Sequence, residues 1–194
     1  MATHPPRVLV PIADGSEEME FTIVVDVLRR GGVEVVAAGV GAGGSPVTCS
    51  RGVRVLPDQD LEDVTWPFDA VVLVGGLGGA EVFAGSEDLR VAVLAHASRG
   101  GLIAAVCAAP KVLVGFGLGR GARITSHPSV REGVSGIGDW VDAPVVEDGA
   151  LVTSQGPGTT FAFALTLLRR LRGEIVAAEV EYGLRLTERI IAPK

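Results

Sequence analysis

The sequence predicts an α/β protein: a mostly parallel sheet covered by helices on both faces, a three-layer α/β/α sandwich. Two observations carry this. Short apolar runs without alternation recur at Arg7–Ile12, Val33–Val40, Asp69–Val74 and Leu102–Val106, the pattern of strands buried on both faces of a parallel sheet. Helical patterns separate them, and the first strand, helix and strand follow closely enough to form a βαβ unit.

The elements follow in order. Arg7 to Ile12 is the first strand. Asp14-Gly15-Ser16 turns the chain into a helix that Ser16 is expected to cap, with Glu17 and Glu18 facing water in a first turn favoured by the helix dipole. This helix runs to about Arg30 and stops at Gly31-Gly32. After the Val33 strand, Val47 to Val55 reads as a hairpin or paired short strands around Cys49. The Asp69 strand ends in Gly75-Gly76-Leu77-Gly78-Gly79; helical pattern follows from Ala80 and again from Glu87 to Ser98. After Leu102–Val106, Pro110 lacks the amide proton that a first helical turn does not need, so a helix is expected from here through Leu113. Arg123 to Ser126 is a short strand ending at His127-Pro128. Ala143–Val146 and Ala150–Ser154 flank the turn Glu147-Asp148-Gly149, a hairpin. Gly156-Pro157-Gly158 opens a helix through Leu171, and a last helix covers about Glu174 to Tyr182. With no linker or repeat, the expectation is one domain over residues 1–194, the tail from about residue 183 set apart.

Composition narrows the function. The chain has 194 residues, 47% hydrophobic and 21% charged, which suits one ordered domain with a substantial core. A net charge of −6 and the lack of a Lys/Arg block argue against nucleic acid or an anionic membrane as partner. Two cysteines, Cys49 and Cys107, make no disulfide framework. The polar start lacks the apolar core of a signal peptide, so a cytoplasmic location is expected. The apolar stretch from Gly101 to Gly119 is of about membrane length, but Pro110, Lys111 and four glycines disfavour a span.

Cys107 lies at the seam between the Leu102 strand and the Pro110 helix. Strand, sharp turn, nucleophile and helix are the parts of a nucleophile elbow with Cys in place of Ser, and a helix start favours the thiolate. The alternative is a small buried hydrophobe. Glu20 shares a helical face with Ile23, Val24 and Val27. It is either a partly buried carboxyl near the ligand-binding edge of the sheet, with its pKa raised, or a residue at the stripe's margin reaching solvent. The glycines from Gly75 to Gly79 either aim backbone N–H groups at a developing negative charge or merely close a turn. His127 ends a strand at the same edge, as base or orienter for Cys107 or as a structural residue; His96 sits in a helix pattern expected to be exposed. No metal-ligand spacing and no nucleotide-binding glycine motif occurs.

Taken together, Glu17-Glu18-Met19-Glu20, Cys49-Ser50-Arg51, Val71–Gly76, Ala104–Pro110, Thr125–Pro128 and Thr153–Thr159 resemble the DJ-1/PfpI superfamily, and its DJ-1 and YajL branch above all, from Arg7 to about Val180. The resemblance implies a flavodoxin-like sandwich, a homodimer, and Cys107 as a reactive, oxidisable cysteine. It implies that Glu20 hydrogen-bonds the sulfur, that His127 lies nearby, and that the N–H groups of Gly75, Gly76 and Ala108 line the pocket. Arg30 and Arg51 match arginines near the dimer interface that contribute to an anion site. The activity implied is cofactor-independent and metal-free: a glutathione-independent glyoxalase or deglycase acting on small aldehydes or ketoaldehydes, as in methylglyoxal to lactate. The alternative implied is a redox-sensing chaperone of oxidative stress that works through oxidation of Cys107. Ala108 stands where the PfpI protease-like branch has histidine, which disfavours peptidase activity. Val74, Gly78, Gly79 and Ala109 depart from the usual pattern, as does the charged tail from Gly183 to Lys194.

Overall fold

The computed structural model describes residues 4–186. A seven-stranded sheet runs in the order β10-β11-β7-β6-β1-β2-β5, comprising Val145–Asp148, Leu151–Ser154, Leu102–Val106, Ala70–Leu73, Arg7–Ile12, Glu34–Gly39 and Gln59–Asp60. All neighbours are parallel except the β10–β11 hairpin. Two short ribbons flank it: β3 (Val47–Thr48) against β4 (Arg54–Val55), and β8 (Arg123–Ile124) against β9 (Asp139–Trp140).

The unalternating strands still obey a period of two, because each face meets a different helical layer. Val8, Val10, Ile12, Val72, Ala104 and Val106 pack with Phe21, Val24 and Leu28 of α1 (Glu18–Arg30) and Phe163 and Leu167 of α5 (Thr160–Arg172). Leu9, Val71, Leu73, Ile103 and Ala105 pack on the other side, against Phe83 of α2 (Leu77–Gly85), Leu89 and Val93 of α3 (Glu87–Ser98) and Leu113 of α4 (Ala109–Gly115). The final helix α6 (Glu174–Leu184) extends past Tyr182; residues 187–194 of the tail lie outside the described residues. Among the described residues no helix is long and apolar enough to cross a membrane.

Four local expectations change. Ser16 does not cap α1: its Oγ, fully buried, accepts from the Ala13 amide at 3.0 Å and tightens the β1–α1 turn. Glu17 is the cap, its carboxylate accepting from the Glu20 amide at 2.7 Å. Glu18 is not solvated but 7% exposed, bound to the Ser50 hydroxyl and Arg51 amide at 2.8 Å each. His96 is likewise buried, at 4% exposure, because Nε2 meets the Leu102 carbonyl at 3.1 Å across the α3–β7 turn.

The helix after β6 begins at Leu77, so Gly78 and Gly79 are helical rather than loop. Their lack of side chains lets the β1–α1 turn lie directly on this helix; a Cβ on Gly79 would stand 2.6 Å from Ser16 Oγ. Gly76 is the tightest point. Its φ is +86°, and a Cβ there would collide with the Gly15 carbonyl oxygen and come within 2.7 Å of the Glu17 amide nitrogen. Gly76→Ala is expected to cost about 2–4 kcal/mol, from left-handed backbone strain plus overpacking, read as a lower urea midpoint. An unchanged midpoint would contradict this packing.

Candidate active site

Three loops at the carboxyl ends of β1, β6 and β7 meet where ligands bind in open α/β sheets. Cys107 directly follows β7 with φ +63°, a left-handed conformation uncommon for a residue with a side chain. Two backbone bonds hold it: its amide donates to the Ser154 carbonyl at 3.0 Å, and its carbonyl accepts from the His127 amide at 2.9 Å. Cys107 is only partly buried and lines a cleft of about 500 Å³, together with Gly15, Glu17, Ser50, Arg51, Gly76, Leu77, Gly78, Ala108, His127, Ser129 and Pro157. Cys49, by contrast, is buried in the core, where burial first and then the charges of Glu18, Glu17 and Asp14 push its thiol up to about 11.

Glu20 is fully buried beneath the sulfur. Its Oε2 accepts from the Gly75 amide at 2.7 Å. Oε1 is buried without a hydrogen-bond partner; the interaction between the carboxyl and the Cys107 thiol lowers the carboxyl's proton affinity and raises the thiol's. Gly75 is wedged between the two, since a Cβ there would come within 2.6 Å of Cys107 Cβ and 2.8 Å of Glu20 Oε2. Burial, assisted by the charge of Glu17 and opposed by the Gly75 amide and the thiol, raises Glu20 from 4.5 to about 7.

The thiol departs from expectation. Burial, the Glu20 charge and the Glu20 contact push it up to about 12, against the opposing amides of Gly76 and Ala108. The short α4, of seven residues, does not offset burial and the Glu20 charge, and no cation is among the groups acting on the sulfur. Carboxyl and thiol therefore act as one unit that retains a proton between them near neutral pH.

The structure also redistributes the backbone donors. Gly75, expected among the oxyanion donors, has its amide committed to Glu20. The Gly76 and Ala108 amides face the sulfur. Of the two arginines, Arg51 lines the cleft, whereas Arg30 lies at the far end of α1 in an exposed pair with Asp26 at 2.5 Å. Sequence reasoning missed Glu18 as the anchor of the Arg51 loop. Burial opposes its ionisation, yet its own amide, the Ser50 hydroxyl and the amides of Arg51 and Val53 together hold it below the ordinary carboxylate value. It also missed Ser129, beside His127; a Ser two residues after His carries no signal of its own. Among the described residues no group of three or more His, Cys, Asp or Glu side chains is placed to hold a metal.

The chain is similar to known proteins along nearly its whole length. The chain is 44% identical over 187 residues to the Parkinson disease protein 7 homolog of Danio rerio, covering 94% of this chain and 98% of the relative. The solved structure of Drosophila melanogaster DJ-1beta superposes with a TM-score of 0.92 at 45% identity, covering 94% of this chain and 99% of that one. A Caenorhabditis elegans protein named glutathione-independent glyoxalase DJR-1.2 is 37% identical over 168 residues, 86% of this chain and 88% of its own. The family model described as DJ-1/PfpI matches residues 6–170, from just before the first strand into α5, a span that includes every residue lining the cleft. The protein therefore belongs to the DJ-1/PfpI family.

Proposed function

We propose that this protein is a cysteine-dependent, glyoxalase-type enzyme that converts a small 2-oxoaldehyde, such as methylglyoxal, to the 2-hydroxy acid. The observation that carries the reading is the pairing of a cleft-facing sulfur with a fully buried carboxyl whose proton affinity sits near neutrality. The glyoxalase named among the relatives supports it.

Glu20, as carboxylate, takes the thiol proton while the Cys107 sulfur bonds to the aldehyde carbon. The Gly76 and Ala108 amides hold the oxyanion until Glu20 returns the proton to it. Glu20 then removes the hydrogen on that carbon and delivers it to the neighbouring carbon, while the carbinol proton passes to the former keto oxygen. The product of this step is a thioester on Cys107. Water cleaves it, releasing the 2-hydroxy acid and the thiol. The scheme calls on neither a metal nor an organic cofactor. Purified protein with methylglyoxal and no glutathione should form lactate, assayed directly; consumption of methylglyoxal without lactate would refute the scheme.

A homodimer belongs to the same reading. Met19 and Val53 remain 55% and 50% exposed on segments that Glu18 ties together, a surface suited to a second copy. Sedimentation as a monomer at micromolar concentration would remove it.

A further inference from the structure

We infer that His127 serves this reaction as a hydrogen-bond donor to the substrate's keto oxygen, not as a proton-transferring base, because the backbone amide of Ser129 fixes its ring in the Nε2–H form. The substrate part rests on the proposed oxoaldehyde chemistry; the tautomer does not.

His127 caps the short 3₁₀ helix Pro128–Gly133, its ring accepting from the Ser129 amide. That amide nitrogen lies 3.2 Å from Nδ1, and the Ser129 hydroxyl lies 2.7 Å from the same nitrogen. A backbone amide can only donate, so Nδ1 must present its lone pair and the hydroxyl must donate as well. A neutral imidazole has one N–H, which then sits on Nε2. Flipping the ring would set a C–H edge against the amide. The present Cδ2 edge already faces Gly156, where a Cβ would stand 3.5 Å away.

Nε2 has no hydrogen-bond partner among the described residues, and His127 and Ser129 line the cleft together with Cys107. The His127 amide is bonded to the Cys107 carbonyl, which ties the ring's position to that of the nucleophile. An oxoaldehyde held by Cys107 through its aldehyde carbon carries its keto oxygen one atom further on. Negative charge develops on that oxygen when the carbon-bound hydrogen is removed. A fixed N–H donor there stabilises the charge where it forms. A base would need a lone pair on Nε2, and the Ser129 amide removes it.

The test has two arms. Long-range ¹H–¹⁵N correlation on the substrate-free protein reads the tautomer; the chain has only three histidines, and His127→Gln assigns the signal. The Nε2–H pattern is expected, and an Nδ1–H pattern overturns the inference. In kinetics, glutamine supplies an N–H near the place of Nε2 but cannot exchange protons. His127→Gln should keep kcat/KM within about tenfold while His127→Ala loses about 10²-fold, the scale of one lost oxyanion donor. Equal losses in both variants overturn the inference. Absence of lactate from the unaltered protein would sink the proposed function instead, and the substrate-free spectrum keeps that failure distinct.

Discussion

Cys107→Ala is expected to reduce lactate formation from methylglyoxal on the order of 10³-fold or more, since it deletes the bond-forming atom of the scheme. The fold should survive. Alanine keeps the Cβ, so the left-handed backbone at this position carries the same strain before and after. The residue's two anchoring hydrogen bonds come from its backbone and do not depend on sulfur. The hydroxyls of Ser50 and Ser129 also border the cleft, but Ser50 donates to Glu18 and Ser129 is engaged by His127, so neither replaces the sulfur. A direct lactate assay is essential, because free thiols scavenge methylglyoxal without isomerising it. Retention of more than a tenth of the wild-type rate, with an unchanged melting temperature, would remove Cys107 from the mechanism.

Glu20→Gln is expected to move activity and stability in opposite directions. Glutamine can still accept from the Gly75 amide but takes up no proton, so turnover should fall by about 10²–10⁴-fold. Stability follows from linkage. The folded-state carboxyl titrates at about 7 and the ordinary one at 4.5, so between these values the folded form holds a proton that the unfolded form has released. Wild-type stability attributable to this group is complete below 4.5, declines as pH rises, and is lost above 7. The difference is about 3 kcal/mol at 1.36 kcal/mol per pKa unit. At pH 8 Glu20→Gln should therefore melt higher than wild type by several degrees, on the order of 2–4 °C per kcal/mol for a chain of this size. At pH 4.5 the advantage should vanish. An equal difference at both pH values would show that ionisation of Glu20 is not its source.

The parts of the molecule legible in the sequence are those fixed by short-range pattern. β1, β2, β6 and β7 announce themselves because both faces are buried, leaving unbroken apolar runs. Gly75 and Gly76 mark a close approach, of Cys107 and Glu20 to the first and of the Gly15–Glu17 turn to the second. What stayed hidden depends on partners distant in sequence. β5 and β9 are two-residue strands recruited by β2 and β8, too short to show a periodicity of their own. Glu18 looks like Glu17 until the loop 33 positions later donates to it. The upward shift of the Cys107 thiol has the same origin. A local helix start predicts a thiolate, whereas burial and a carboxylate from α1, 87 residues earlier in the chain, set the opposite direction. The commitment of the Gly75 amide likewise required knowing where Glu20 ends.

The buried carboxyl is the point on which the scheme turns, and it can be read without substrate. Carboxyl ¹³C shifts of glutamate-labelled protein, followed against pH with Glu20→Gln as the assignment control, give its titration midpoint. A midpoint at about 7 is expected. A midpoint near 4.5, that of an ordinary carboxyl, would contradict the scheme.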